Sequence, residues 1–142
     1  MKKFFYVLQL LFVLLFLSCT MGGVEWGLIG TWELTKNEGS AYKGFIDYEA
    51  TMVINCNDTY TINNSYKSSD YEWESETSGT VYADITSKTL TLTINNFEVK
   101  RNGVLQSINM TKTKSTFKYT LNCNDIILDD TDYDAIGYYV KK

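Results

Sequence analysis

The chain predicts an all-β protein, an up-and-down antiparallel barrel of eight or nine strands, and three observations carry that expectation. Apolar and polar residues alternate with period two in segment after segment from Val24 onward, which in a strand sends them to opposite faces. Turn-forming residues, Asn102-Gly103 foremost, separate these segments at short intervals. No segment beyond Val24 carries a helical stripe or a solenoid-length repeat, and the chain has no proline. A sheet of this many strands with one apolar face closes on itself, because closure removes the unpaired edges that template aggregation. Thr, Lys and Asp on the other face suit water rather than lipid, as a transmembrane barrel would be apolar outside.

In chain order, the first strand is expected near 31–36 and the second over 48–55, where Met52-Val53-Ile54 alternates. Asn57-Asp58 turns the chain into a third strand, 58–65, carrying Tyr60 and Ile62 on one face. A fourth covers 71–85, with a bulge expected near Gly79 because glycine inside a strand pattern marks one. Thr86-Ser87-Lys88 closes a hairpin onto a fifth, 89–101, where Leu90, Leu92 and Ile94 share a face opposite three threonines. Asn102-Gly103 fits a type I′ turn, which needs positive φ twice, and leads to a strand at 104–113. Strands at 115–122 and 125–130 flank Asn124-Asp125, and 136–141 forms the last short segment.

With 142 residues the chain has room for one domain. Its formal charge is −4, and residues 1–18 hold two lysines and no acid, so the body without them is more acidic still. The single arginine, Arg101, and the acidic balance exclude a nucleic-acid binder working through a basic face. With no histidine, triads using a His base, His metal ligands and imidazole pH switching are all excluded. No nucleophile–base pair or metal set can be assembled, so neither an enzyme nor a cofactor is expected.

Lys2 and Lys3 precede an apolar run, Phe4 to Leu17, interrupted only by Gln9. That is the length of a secretory signal and short of the roughly 20 residues that span a bilayer. The box Phe16-Leu17-Ser18-Cys19 resembles the bacterial lipoprotein signal, with Ser18 at its small position. The resemblance implies cleavage after residue 18, lipidation of Cys19 and a membrane tether over 19–27, on a barrel domain over 28–142. Three acyl chains would exceed what stable anchoring requires. An ordinary signal peptide cut near Ser18 is the alternative.

Gly30-Thr31-Trp32 looks like the Gly-x-Trp start of the first strand in lipocalins and in smaller bacterial lipocalin-like lipoproteins, and the hairpins at 57–62 and 87–93 are similar in type and place. The resemblance implies a lipocalin-like barrel in which Gly30 lets the chain bend into the strand and Trp32 plugs the closed end with its indole N–H paired.

If the barrel is hollow, Tyr60, Leu90, Leu92, Phe117 and Tyr119 are expected to line a pocket for a small apolar molecule. Equally, they fill it, since eight strands enclose just enough space for side chains or one small ligand. Glu72, Glu74 and Glu76 share one strand face, with Tyr71 and Trp73 on the other, which reads as a solvated exterior backed by aromatic core. Asp130, Asp132 and Asp134 alternate as in a calcium loop, but Ala135 and Lys141 stand where Gly and a bidentate Glu belong, so an acidic loop is expected and no metal. Export favours a Cys56–Cys123 disulfide, whereas a simple meander puts their turns at opposite barrel ends. The functional expectation is a cell-envelope protein, anchored to a membrane through Cys19, that binds a small apolar ligand. The alternative is a solid barrel serving as a structural or protein-interaction module of the envelope.

Overall fold

The computed structural model describes residues 24–111 and 113–142. The segment expected to be a signal peptide, and Cys19, lie outside the described residues. The strands are β1 (Gly30–Glu38), β2 (Asp47–Ile54), β3 (Thr59–Lys67), β4 (Glu72–Asp84), β5 (Thr89–Arg101), β6 (Val104–Gln106), β7 (Lys114–Leu121), β8 (Asp125–Asp130) and β9 (Ile136–Lys141), with one-turn 3-10 helices at Trp26–Leu28 and Ser40–Tyr42. Every pairing is antiparallel. β1 through β5 pair in sequence, β5 pairs with β7, then β8 and β9 follow, and β9 returns to β1. Eight strands thus close an up-and-down barrel and β6 is supernumerary.

The strand expected over 104–113 forms only at Val104–Gln106. β6 pairs with Val99–Arg101 and β7 with Thr89–Thr93, so the two occupy one flank of β5 and together fill a single strand position. Val104, Leu105 and Ile108 are all exposed, so extending this strand would gain no apolar burial. A correction of polarity follows. The β2–β3, β4–β5 and β7–β8 turns all lie at one end, where the chain also enters at Val24.

That end is closed. Trp32, Met52, Ile54, Tyr60, Val81, Leu90, Leu92, Tyr119, Ile126 and Leu128 form one contiguous buried cluster with Val24 and Leu28. Each large apolar side chain so buried contributes about 1.5–3 kcal/mol. Trp32 is fully buried, its Nε1 donates to the Leu28 carbonyl at 2.8 Å, and the Lys141 ammonium lies 5.2 Å above its ring. Two glycines permit this packing. Gly30 takes φ 140°, where an L side chain is strained. At Gly79 the β4–β5 register shifts, and an added Cβ would stand 1.9 Å from the Thr93 carbonyl oxygen.

Candidate functional site

Tyr60, Leu90, Leu92 and Tyr119 are buried members of the closed-end core, and Phe117 packs against it partly buried. They pack together in the core, and none of them lines the cleft described below. Tyr119 Oη donates to Glu25 Oε2 at 2.8 Å, Lys88 pairs with the same carboxylate at 3.3 Å, and the Lys88 ammonium sits 5.3 Å from the Tyr119 ring. Val24 and Glu25, within the stretch expected as a tether, therefore seal the barrel floor.

Tyr60 differs. Its side chain is 1% exposed and its hydroxyl has no hydrogen-bond partner among the described residues. Burial pushes this phenol up to about 12. An unpaired buried hydroxyl costs about 1–3 kcal/mol, so Tyr60→Phe should leave stability equal or raise it by about 1 kcal/mol in urea unfolding. A loss of that size instead would show that the hydroxyl has a partner in solution.

Cys123 is an exposed free thiol, so the expected Cys56–Cys123 bridge is not formed. The reason is not opposite ends, since both turns lie at the closed end. In the ring of eight strands the β2–β3 and β7–β8 turns stand four positions apart, directly across the barrel. Eight strands about 4.8 Å apart give a diameter of roughly 15 Å, whereas a disulfide needs Cα atoms within about 7 Å.

The other end of the barrel is built differently. Register aligns Tyr48 of β2, Tyr66 of β3, Trp73 of β4 and Arg101 of β5 in one inward row, one residue per strand. Their rings form a ladder. Tyr48 and Tyr66 stack at 6.1 Å between centroids, Tyr66 and Trp73 at 6.2 Å, and the Arg101 guanidinium lies 5.5 Å from the Trp73 ring and 4.5 Å from that of Tyr71. The β1–β2 loop adds two more rings, Phe45 at 4.8 Å from Tyr66 and Tyr42 edge-on to Tyr48 at 5.0 Å. Tyr139 of β9 reaches the same region, where burial and then the neighbouring Tyr48 and Tyr42 phenols raise its own phenol. The ladder rings are half-buried, unlike the closed-end core. Below them runs a polar layer in which Tyr48 Oη donates to Asn64 Oδ1 and Asn64 Nδ2 to Ser75 Oγ, each at 3.2 Å.

Two loops frame this mouth. Asp134 Oδ2 accepts from the Ser40 backbone N–H at 2.8 Å, and the Asp134 carbonyl accepts from Ala41 N–H at 3.1 Å. Interaction with the Ser40 side chain, and then with its backbone N–H, holds the Asp134 carboxyl below its ordinary range. Asp130 Oδ1 accepts from the Asp132 and Tyr133 N–H groups, so the alternating aspartates organise the β8–β9 loop and fasten it to the β1–β2 loop.

A cleft of about 350 Å³ lies on the outward side of β2–β5, lined by Glu49, Glu74, Glu76 and Glu98 with Lys100. Glu76 faces Glu98 across the strands while Glu74 faces Lys100. It is open, and its charged lining is acidic, four glutamates to one lysine. No helix among the described residues is long and apolar enough to cross a membrane.

The alternation at 71–76 already set Tyr71 and Trp73 on the face opposite the glutamates, but their union with Tyr48 and Tyr66 escaped it because which residues share a rung depends on register, and Tyr42 and Phe45 belong to no periodic segment. Comparison with known proteins adds no relative: no protein-family model matches the chain, and no curated protein matches it.

Proposed function

We propose that this is a lipid-anchored cell-envelope protein whose lipocalin-like barrel binds a small apolar molecule at its aromatic mouth. One observation carries the binding reading: the half-buried ladder of Tyr48, Tyr66 and Trp73, one ring per strand, at the wet end of a barrel whose other half is packed. Aromatic rings left partly uncovered give an apolar body a surface against which it gains by leaving water. The deep residues Tyr60, Leu90, Leu92 and Tyr119 then form the floor, not the wall.

The neutral fluorophore N-phenyl-1-naphthylamine should bind one per barrel. Trp73→Ala should weaken it about tenfold, in line with 1–1.5 kcal/mol for a lost aromatic contact, whereas Leu92→Ala should lower stability and leave a binding site. Absence of binding, or indifference to Trp73→Ala, removes this reading.

The anchor reading rests on Lys2, Lys3, the apolar run and Ser18-Cys19. Because Val24 enters at the closed end, an anchor at Cys19 would leave the mouth facing away from the membrane. With three cysteines in the chain and Cys123 free, a lipid thioether and an intrachain disulfide to Cys56 are alternative fates of the Cys19 sulfur. Intact mass of the mature protein separates them, and Cys19→Ser should release a lipidated protein from the membrane fraction. The second reading, a packed interaction module, is favoured by the filled closed half and requires that no apolar probe bind.

A further inference from the structure

We infer that the mouth selects an amphiphilic anion, an apolar body ending in one oxyanionic group, with Arg101 as the residue that receives the charge. This rests on the reading of the mouth as a ligand site and names the chemistry of its ligand.

Arg101 is the only arginine in a chain with 17 acidic residues, and it occupies the inward row beside Trp73. Its guanidinium lies over the rings of Tyr71 and Trp73, which stand edge to face, at 4.5 and 5.5 Å from their centroids. Among the described residues no carboxylate pairs with it. Glu72, next to its register partner, is instead held by Lys67 at 3.2 Å. The outward-facing acids of these strands point to the other side of the sheet.

A guanidinium stacked on a ring keeps the N–H groups at its edge free, and their fork geometry matches a two-oxygen anion. Stacking also limits the side-chain freedom lost when such an anion binds. The ladder ends at this guanidinium, so an apolar body lying along the Tyr48, Tyr66 and Trp73 ring edges brings its terminal group to Arg101. Lys100, by contrast, belongs to the outward row facing Glu74.

Two probes sharing one ring frame test this: 8-anilino-1-naphthalenesulfonate, which is anionic, and neutral N-phenyl-1-naphthylamine. The intact barrel should prefer the anion by about tenfold or more, as expected for a charge-assisted hydrogen-bonded pair. Arg101→Gln should erase that preference by weakening the anionic probe far more than the neutral one, and Trp73→Ala should weaken both. Equal affinities in the intact protein, or an Arg101→Gln variant that keeps the preference, overturns the anion inference and leaves the mouth standing. Failure of both probes to bind overturns the mouth reading and this inference with it.

Discussion

Above pH 10 the barrel should lose stability steeply, because four phenols are held neutral by the fold. Burial raises Tyr48, Tyr119 and Tyr139 above the ordinary phenol range and Tyr60 to about 12, with the Glu25 hydrogen bond adding to the effect at Tyr119 and neighbouring phenols at Tyr48 and Tyr139. A folded-state pKa above the unfolded value of about 10 means the native state holds its proton more tightly. That contribution is complete below pH 10 and is lost as pH climbs toward the folded value. At pH 11 each such phenol gives up about 1.4 kcal/mol, so four together give up about 5–6 kcal/mol, comparable to the whole stability of a domain. Phenolate absorbance followed alongside circular dichroism should show these tyrosines ionising only as the sheet is lost. Reversible titration of every tyrosine of the barrel near pH 10 with the sheet intact would contradict it.

Trp32→Ala should cost about 3–5 kcal/mol, the range for deleting a buried aromatic side chain. The ring is fully buried, faces Met52 across the β1–β2 pair, carries Lys141 on one face and ties Leu28 to β1 through its indole N–H. Removing it opens a void where the entering chain seals the barrel. Trp32→Phe keeps most of the contact area but deprives the Leu28 carbonyl of its donor, and should cost less, about 1–3 kcal/mol. Urea unfolding measures both. A Trp32→Ala loss under 1 kcal/mol would mean that the closed end does not depend on this plug.

Much of the architecture was legible because period-two alternation reports strands directly. Leu90, Leu92 and Ile94 lie on the inward row of β5, and the bulge expected near Gly79 appears as the register shift between Ser78 and Gly79. What alternation omits is height along the barrel. Inward residues at 90, 92 and 119 read the same as those at 48, 66 and 73, yet the first group is sealed core and the second an open rim. Only cross-strand register separates them, and register is set by turns and bulges rather than by the pattern within a strand. The 104–113 segment misled for a related reason. Its alternation is genuine, but its apolar residues find no face to bury against beyond Gln106. The cysteine pair failed on a quantity absent from the sequence, the number of strand positions between two turns in a closed ring.

The central claim is that an apolar ligand lodges at the aromatic mouth while the closed half stays packed. Backbone and side-chain NMR shifts of the intact barrel, recorded on adding N-phenyl-1-naphthylamine, test it most directly. Perturbations should concentrate on Tyr42, Phe45, Tyr48, Tyr66, Trp73 and Arg101 and leave Leu90, Leu92, Ile126 and Leu128 unmoved. Shifts centred on that closed-end set, or on the acidic outer cleft of Glu49, Glu76 and Glu98, would contradict the claim.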